Sequence, residues 1–287
     1  MRLSELYRSK KADISFELFP PKTEKGTEEM FREVERLKAL HPAFFSMTYG
    51  AAGTTRDLTL ALVDRLKNQV GVETMCHLTV VGQSKEETRN TLRFLKEKGI
   101  YNIIALRGDP PSGVSDFKPH PGGFRYSVEL IEEAKKTNYF SIAVAGFPET
   151  HPDSQSRTSD IEYLKRKVDA GADVIITQLF FDNRFFYEYA DHVQKAGITV
   201  PVVPGILPIL SVQQVRRFTA LCKATIPPAM EAELSKCEDD PERALKYGIE
   251  LAAKQCEDLL KNKVPGLHFY CLNKSRSVEA ILSNLKI

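Results

Sequence analysis

A chain of 287 residues is long for one ordinary domain but usual for a barrel of alternating strands and helices. Its 42% apolar content supports a large core, and 40 basic against 38 acidic residues leave a net charge of only +2, which argues against a nucleic-acid surface. Five cysteines without CxxC spacing, a polar N-terminus and no window near the roughly 20 apolar residues of a membrane span argue against a disulfide framework, a structural zinc, a signal peptide or membrane insertion, so a cytoplasmic protein is expected.

Residues 1–12 read as a polar, amphipathic helical extension. The first strand-like run is Ile14–Phe19, followed by a helical stretch, Thr27–Leu40, with Met30, Val34 and Leu37 on one stripe. Phe44–Thr48 precedes a helix at Asp57–Asn68. Glu73–Val80 precedes a helix that Ser84 and Glu87 open as a capping box and that runs to about Lys98. Ile100–Arg107 leads to Ser127–Lys136, Ser141–Gly146 to Asp160–Ala170, and Val174–Phe180 to Phe185–Lys195. Val200–Gly205 is followed by helices Val212–Cys222 and Pro241–Asn262, and the last strand is Leu267–Leu272. Gly99, Gly171 and Gly197 stand where helix gives way to strand, the place of a left-handed terminal residue.

Eight strands alternating with helices imply parallel pairing and right-handed crossovers. The expected fold is α/β, a single (β/α)8 TIM barrel over residues 1–287, with an open doubly wound sheet as the alternative. Two long connections, Gly108–Phe124 and Phe147–Ser159, follow strands, which in a barrel puts them at the C-terminal mouth, where active sites are built.

The strand ends facing that mouth carry polar residues. Glu17 sits on a strand covered on both sides; it is either a solvated or arginine-paired carboxylate, or a buried one with a raised pKa suited to general acid chemistry. Asp109, after Arg107-Gly108 and before Pro110-Pro111, is either a turn aspartate or a ligand-facing acid. His77 reads as a core histidine or a ligand contact, and without a partner at metal spacing no metal site is expected. The Gln178 amide needs partners at both ends, which the edge of a planar heterocycle would supply. Asp160, Tyr163, Arg166 and Lys167 share a helical face, either solvated or a patch for diphosphate or ribose. No GxGxxG follows a strand, so any dinucleotide would be held by side chains and loop backbone.

Taken in order, these segments resemble the catalytic domain of methylenetetrahydrofolate reductases. The resemblance runs from Ser15-Phe16-Glu17-Leu18-Phe19-Pro20-Pro21-Lys22-Thr23 to Leu267-His268-Phe269-Tyr270-Cys271-Leu272-Asn273. Between them lie Thr48-Tyr49-Gly50, His77-Leu78-Thr79, Ala105-Leu106-Arg107-Gly108-Asp109-Pro110, Gly146-Phe147-Pro148-Glu149-Thr150-His151-Pro152, Ile176-Thr177-Gln178-Leu179-Phe180-Phe181-Asp182 and Val203-Pro204-Gly205-Ile206-Leu207-Pro208-Ile209. The resemblance implies an FAD flavoprotein, an oxidoreductase of one-carbon and methionine metabolism. It would pass a hydride in ping-pong fashion from NADH or NADPH to 5,10-methylenetetrahydrofolate, forming 5-methyltetrahydrofolate.

By the same resemblance Glu17 is the general acid, and Asp109 places negative charge near flavin and pterin. Gln178 and Phe218 would hold the folate. The positions matching FAD contacts are Thr48, His77, Arg107, Gly108, Asp109, Tyr126, Ala145, Phe147, His151, Asp160, Tyr163, Arg166 and Lys167. Phe147 stands where the family often has tyrosine, and Tyr163 where a smaller polar residue occurs. Family members are often dimers or tetramers, which makes a homo-oligomer compatible with the resemblance. Longer members carry a C-terminal region that binds S-adenosylmethionine; a single catalytic domain without one is expected here. Two readings compete: a flavin-free lyase or aldolase, which would call for a Schiff-base lysine or metal ligands at strand ends, and a barrel that only binds folate.

Overall fold

Helices return the chain to the same end of the sheet after nearly every strand, so all paired strands run parallel. The computed structural model describes residues 1–7, 12–49, 55–108 and 119–285. The chain begins with α1 (Leu3–Leu6), β1 (Asp13–Leu18), α2 (Glu24–Lys38), β2 (Phe44–Met47) and α3 (Arg56–Arg65), which a π-helical turn extends over Leu66–Val70. Next come β3 (Thr74–Thr79), α4 (Lys85–Glu97), β4 (Asn102–Leu106), α5 (Ser127–Lys135) and β5 (Ser141–Gly146). Then follow α6 (Arg157–Asp169), β6 (Val174–Thr177), α7 (Asn183–Lys195), β7 (Val202–Val203) and β8 (Gly205–Ile206). The chain continues through α8 (Val212–Cys222), α9 (Pro228–Ser235), α10 (Pro241–Lys261), β9 (Gly266–Phe269) and α11 (Arg276–Ser283).

The strands lie in the order β7-β6-β5-β4-β3-β2-β1-β9-β8. The expected seventh strand, Val200–Gly205, is present as two short pieces, and Pro204 is the reason. Proline has no N–H for a ladder, so the segment changes partners there. Before it, Ile175 and Ile176 pair with Val202 and Val203; after it, Gly205 and Ile206 pair with His268 and Phe269. The Pro204 carbonyl still accepts from His268 N–H at 3.0 Å. One extended segment thus touches β6 on one side and β9 on the other, and the sheet closes into a barrel of eight staves.

Alternation along the strands sorts the side chains. Phe16, Leu18, Phe45, Cys76, Ile103 and Val144 face outward and join Met30, Val34, Leu37 and Leu95 from the helices in the main core. Phe44, Met75, Ile104, Ala143, Val174, Ile176 and Val203 fill the barrel, and Leu3 and Leu6 of α1 plug its N-terminal end. Asn102 and Ser141 fix that plug by accepting hydrogen bonds from Leu3 N–H and Ser4 N–H, each at 3.0 Å. Along β1 the inward row is polar throughout: Asp13, Ser15, Glu17.

The capping box at Ser84 and Glu87 forms, and Gly99, Gly171 and Gly197 all have positive φ. The N-terminal extension is helical only over Leu3–Leu6 in the described residues. Helices α9 and α11 were not anticipated. Ile226-Pro227-Pro228 reads as a chain break, yet Pro228 opens α9, where the missing N–H costs nothing.

Closure also sets a steric limit at Gly205. A Cβ there would collide with the Thr177 carbonyl and lie 2.6 Å from the Tyr270 ring. Gly205→Ala is expected to destabilise the fold by about 1–3 kcal/mol through overpacking, read as a lower urea midpoint. An unchanged midpoint would show slack in the seam.

Candidate active site

Glu17 projects into the barrel near the C-terminal end of β1 and is 8% exposed. Its Oε2 lies 3.3 Å from His77 Nε2 on β3 and 3.6 Å from His268 Nε2 on β9. The contact with His77 lacks hydrogen-bond alignment, so charge carries most of it. His268 is held on several sides. Its Nδ1 is 2.8 Å from Ser15 Oγ, its ring stacks on Phe44 at 5.9 Å, and Tyr270 meets it edge-on at 5.5 Å. Tyr270 in turn donates its hydroxyl to the Thr177 carbonyl at 2.5 Å, and Cys271 Sγ donates to the Glu17 carbonyl at 3.0 Å.

Burial alone would raise the Glu17 pKa, but His77 and His268 outweigh it and hold the carboxyl at about 2, against an ordinary 4.5. This corrects the expectation of a raised pKa. That expectation weighed desolvation of an isolated carboxyl; the residue has two imidazoles as neighbours, and one of them comes from the last strand.

A second cluster forms over β4 and β5. Arg107 pairs with Asp153 at 2.8 Å, and Asp153 N–H donates to His151 Nδ1 at 3.0 Å. Phe147 meets His151 edge-on at 4.4 Å, and His151 N–H donates to Asp160 Oδ2 at 3.0 Å. Lys167, on α6, reaches over β5 to donate to the Ala145 carbonyl at 3.1 Å. Burial pulls its amine down to about 8, with Asp160 opposing. Burial likewise lowers the His151 imidazole. Gly108 has φ +87, and a Cβ there would lie 2.5 Å from Val81 Cγ1 and 2.8 Å from Thr79 Cβ. Only glycine fits such a crowded left-handed position. Beside it, Thr79 Oγ1 is buried without a hydrogen-bond partner among the described residues.

The remaining expected residues fall at varied distances from these clusters. Thr48 ends the β2 segment, its N–H bonded to the Leu18 carbonyl at 2.9 Å. Gln178 uses its Oε1 locally, accepting from Leu179 N–H at 2.8 Å. Phe218, on α8, is partly buried in the apolar cluster around Leu207 and Ile209. Tyr126 and Tyr163 are exposed, and Arg166 lies over the Tyr163 ring at 5.1 Å while lining a groove between α6 and α7 outside the barrel. Asp109 lies outside the described residues. Among the described residues, no three His, Cys, Asp or Glu side chains could hold a metal ion together, and no helix is long and apolar enough to cross a membrane.

Sequence reasoning passed over His268 and Ser15 as site residues. For Ser15 the signal was available in the alternation: it is two positions before Glu17 and so shares its inward row.

Comparison with known proteins converges on one family. The profile of the family described as methylenetetrahydrofolate reductase matches residues 2–286. A maize protein named methylenetetrahydrofolate reductase (NADH) 1 is 43% identical over 95% of this chain and 48% of its own length. The Escherichia coli K12 5,10-methylenetetrahydrofolate reductase is 36% identical over 96% of this chain and 91% of its own. The chain therefore spans about half the length of the plant relatives and most of the bacterial one. A Clostridium thermocellum protein described as binding two copies of 5-methyl-5,6,7,8-tetrahydrofolic acid shares the fold, with a TM-score of 0.64 at 15% identity, covering 98% of this chain and 97% of that one.

The depressed Glu17 pKa fixes a sign for acid stability. Its folded value, about 2, is below the ordinary 4.5, so the stability it contributes is complete above 4.5 and is lost as pH falls toward 2. Across that window wild type should lose stability relative to Glu17→Gln, measured by urea unfolding at stepped pH. A gap that does not change with pH would show that the carboxyl is not held low.

Proposed function

Because the chain belongs to the methylenetetrahydrofolate reductase family, we propose that it reduces 5,10-methylenetetrahydrofolate to 5-methyltetrahydrofolate with a hydride that originates on NADH or NADPH. The observation that carries this reading is Glu17, a buried carboxylate at the barrel mouth between two imidazoles. Such a group is costly to bury and well placed to move a proton.

The second cluster suits FAD. Lys167 is a half-buried cation bonded to a neutral carbonyl, a setting that a diphosphate would complete. Gly108 lets backbone approach a flat ligand, and the Thr79 hydroxyl lacks a partner among the described residues. In this reading Lys167, Arg107, His151 and Asp160 hold the diphosphate and ribose, while Thr48, His77, Gly108, Ala145 and Phe147 border the rings. Tyr126, Tyr163 and Arg166, all farther out, would meet the adenosine end. FAD, when bound, supplies the chemistry that accepts a hydride from the nicotinamide and returns it to folate.

The chain's own residues handle folate and the proton. Gln178 and Phe218 hold the pterin, and Asp109 adds negative charge beside it, favouring a cation as the five-membered ring opens. Glu17 protonates the nitrogen that leaves, and a hydride bonds to the exposed carbon. One proton and one hydride balance the reaction. At neutral pH the carboxyl itself is ionised, so it has to take up a proton before it can hand one over.

The direct test is the absorbance spectrum of the purified protein, followed anaerobically by NADH, by NADPH and then by methylenetetrahydrofolate. A flavin spectrum bleached by a nucleotide and restored by folate is the expected result; a protein that cannot be loaded with FAD sinks the reading. Glu17→Gln should still be bleached and should lose folate reduction by roughly 10²-fold or more. Lys167→Met makes a two-sided prediction. Removing a desolvated cation should leave thermal stability of the flavin-free protein unchanged or higher, while FAD affinity falls at least about tenfold. Equal FAD affinity in that variant would remove Lys167 from the diphosphate site.

A further inference from the structure

We propose that Asn273 is a positioning residue for Glu17: its amide takes over where the β1–β9 ladder ends and holds the end of β1, and with it the carboxyl, at the mouth. The inference rests on the reading of Glu17 as the proton donor and goes beyond it by assigning what keeps that group in place. Three observations carry it.

First, β9 leaves β1 early. The last residues in register are Phe16 and Phe269, so Glu17 and Leu18 run on without a β9 partner in the ladder. The chain then turns. Lys274 N–H donates to the Cys271 carbonyl at 2.9 Å, and both central residues, Leu272 at φ +53 and Asn273 at φ +57, lie in the left-handed region. Asparagine tolerates that region and leucine does so only at a cost, so the surroundings must hold the turn. Second, the turn brings the Asn273 amide back to β1. Its Oδ1 accepts from Phe19 N–H and its Nδ2 donates to the Phe19 carbonyl, each at 2.8 Å. An amide offers a donor and an acceptor side by side, which is what the two backbone groups of Phe19 require once the strand pairing has ended. Third, Phe19 is the last place where such a clamp can act. Pro20 and Pro21 follow and carry no N–H, so the next backbone donor is on Lys22.

Glu17, two residues before Phe19, depends on this backbone more than on its own side-chain contacts. Its Oε2 lies 3.3 Å from His77 Nε2 and 3.6 Å from His268 Nε2, and the His77 contact has no hydrogen-bond alignment to fix a direction. The other ionisable groups facing Glu17, Tyr270 and Cys271, are pushed up by burial and carry no charge to hold the carboxylate. The main chain, by contrast, is fixed on both flanks. Thr48 N–H donates to the Leu18 carbonyl at 2.9 Å on the β2 side, and Cys271 Sγ donates to the Glu17 carbonyl at 3.0 Å on the β9 side. Asn273 completes the β9 flank at Phe19. Without it Phe19 and the two prolines can swing away from β9, and a small displacement of the strand end takes the carboxyl out of line with a reacting nitrogen.

Asn273→Gly keeps the left-handed turn and deletes only the amide. In the FAD-loaded enzyme the folate half-reaction at saturating folate should slow by about tenfold or more. Half-saturating folate and the rate at which nicotinamide bleaches the flavin should both stay within about twofold, since Glu17 serves the proton step alone. The flavin-free protein gives a second readout. Its loss of stability as pH falls from 4.5 toward 2 should be shallower in Asn273→Gly than in wild type, because a carboxyl displaced from the imidazoles titrates nearer its ordinary value. A folate half-reaction within about twofold of wild type overturns the proposal. So does one that slows in step with bleaching, or an acid profile as steep as that of wild type, since either marks a structural role that does not act through Glu17. Glu17→Gln separates the two levels. If it retains folate reduction, the donor role of Glu17 falls and the positioning role with it; if it loses folate reduction while Asn273→Gly does not, only the positioning role falls.

Discussion

The structure depends on a partner exchange within five residues, Val202–Ile206. Pro204 ends the ladder with β6 and the next residues begin one with β9, which is how the sheet closes. Closure does more than remove edges. It brings the last strand against the first, and with it His268 to Ser15 and Glu17, and Tyr270 to the Thr177 carbonyl. An open sheet of the same strands would leave β8 and β9 apart from β6, and Gly205 would not need to be glycine. The candidate site is in this sense a consequence of the seam.

Inside the barrel the polar row of β1 works against stability. Hydroxyls, an imidazole and a carboxylate take places that aliphatic side chains such as Val174, Ile176 and Val203 fill elsewhere, and buried polar atoms are costly unless satisfied. The partial satisfaction is visible: Ser15 and His268 pair well, whereas Tyr7 Oη and His77 Nε2 lack aligned hydrogen bonds. A network built for rigidity would close such gaps.

Most of the fold was legible because the alternation of apolar strand and amphipathic helix is a local signal. Ser141–Gly146 and Val212–Cys222 match their expected bounds, since glycine, proline or a capping serine marks the ends. The split at Pro204 was legible in principle, and α9 was hidden by its prolines. The site was legible in its parts, because Glu17, His77, Arg107 and Lys167 are polar residues at strand ends or on the helix face above them. Their charge states were not. The sign of the Glu17 shift depends on His268, 251 positions away in a 287-residue chain, and only closure makes them neighbours. Long-range electrostatics has no local sequence signature, so neither the solvated or arginine-paired reading of Glu17 nor the buried, raised-pKa one included the imidazoles.

Buried Glu17 and half-buried Lys167 are in opposite conditions, and the contrast bears on how the parts could divide the work. Glu17 already has two imidazoles beside it that hold its carboxyl low, and it needs no ligand to stay ionised. Lys167 has a carbonyl and the nearby Asp160, and its amine is pushed down to about 8. An anion placed at Lys167 would strengthen its charge and gain from it; an anion placed at Glu17 would meet a carboxylate. On the proposed function, the second cluster would suit a phosphate-bearing ligand and the first a neutral or cationic ring. In the proposed reading, that order of charges would set the phosphates of a dinucleotide over β5 and its rings toward β1 and β3.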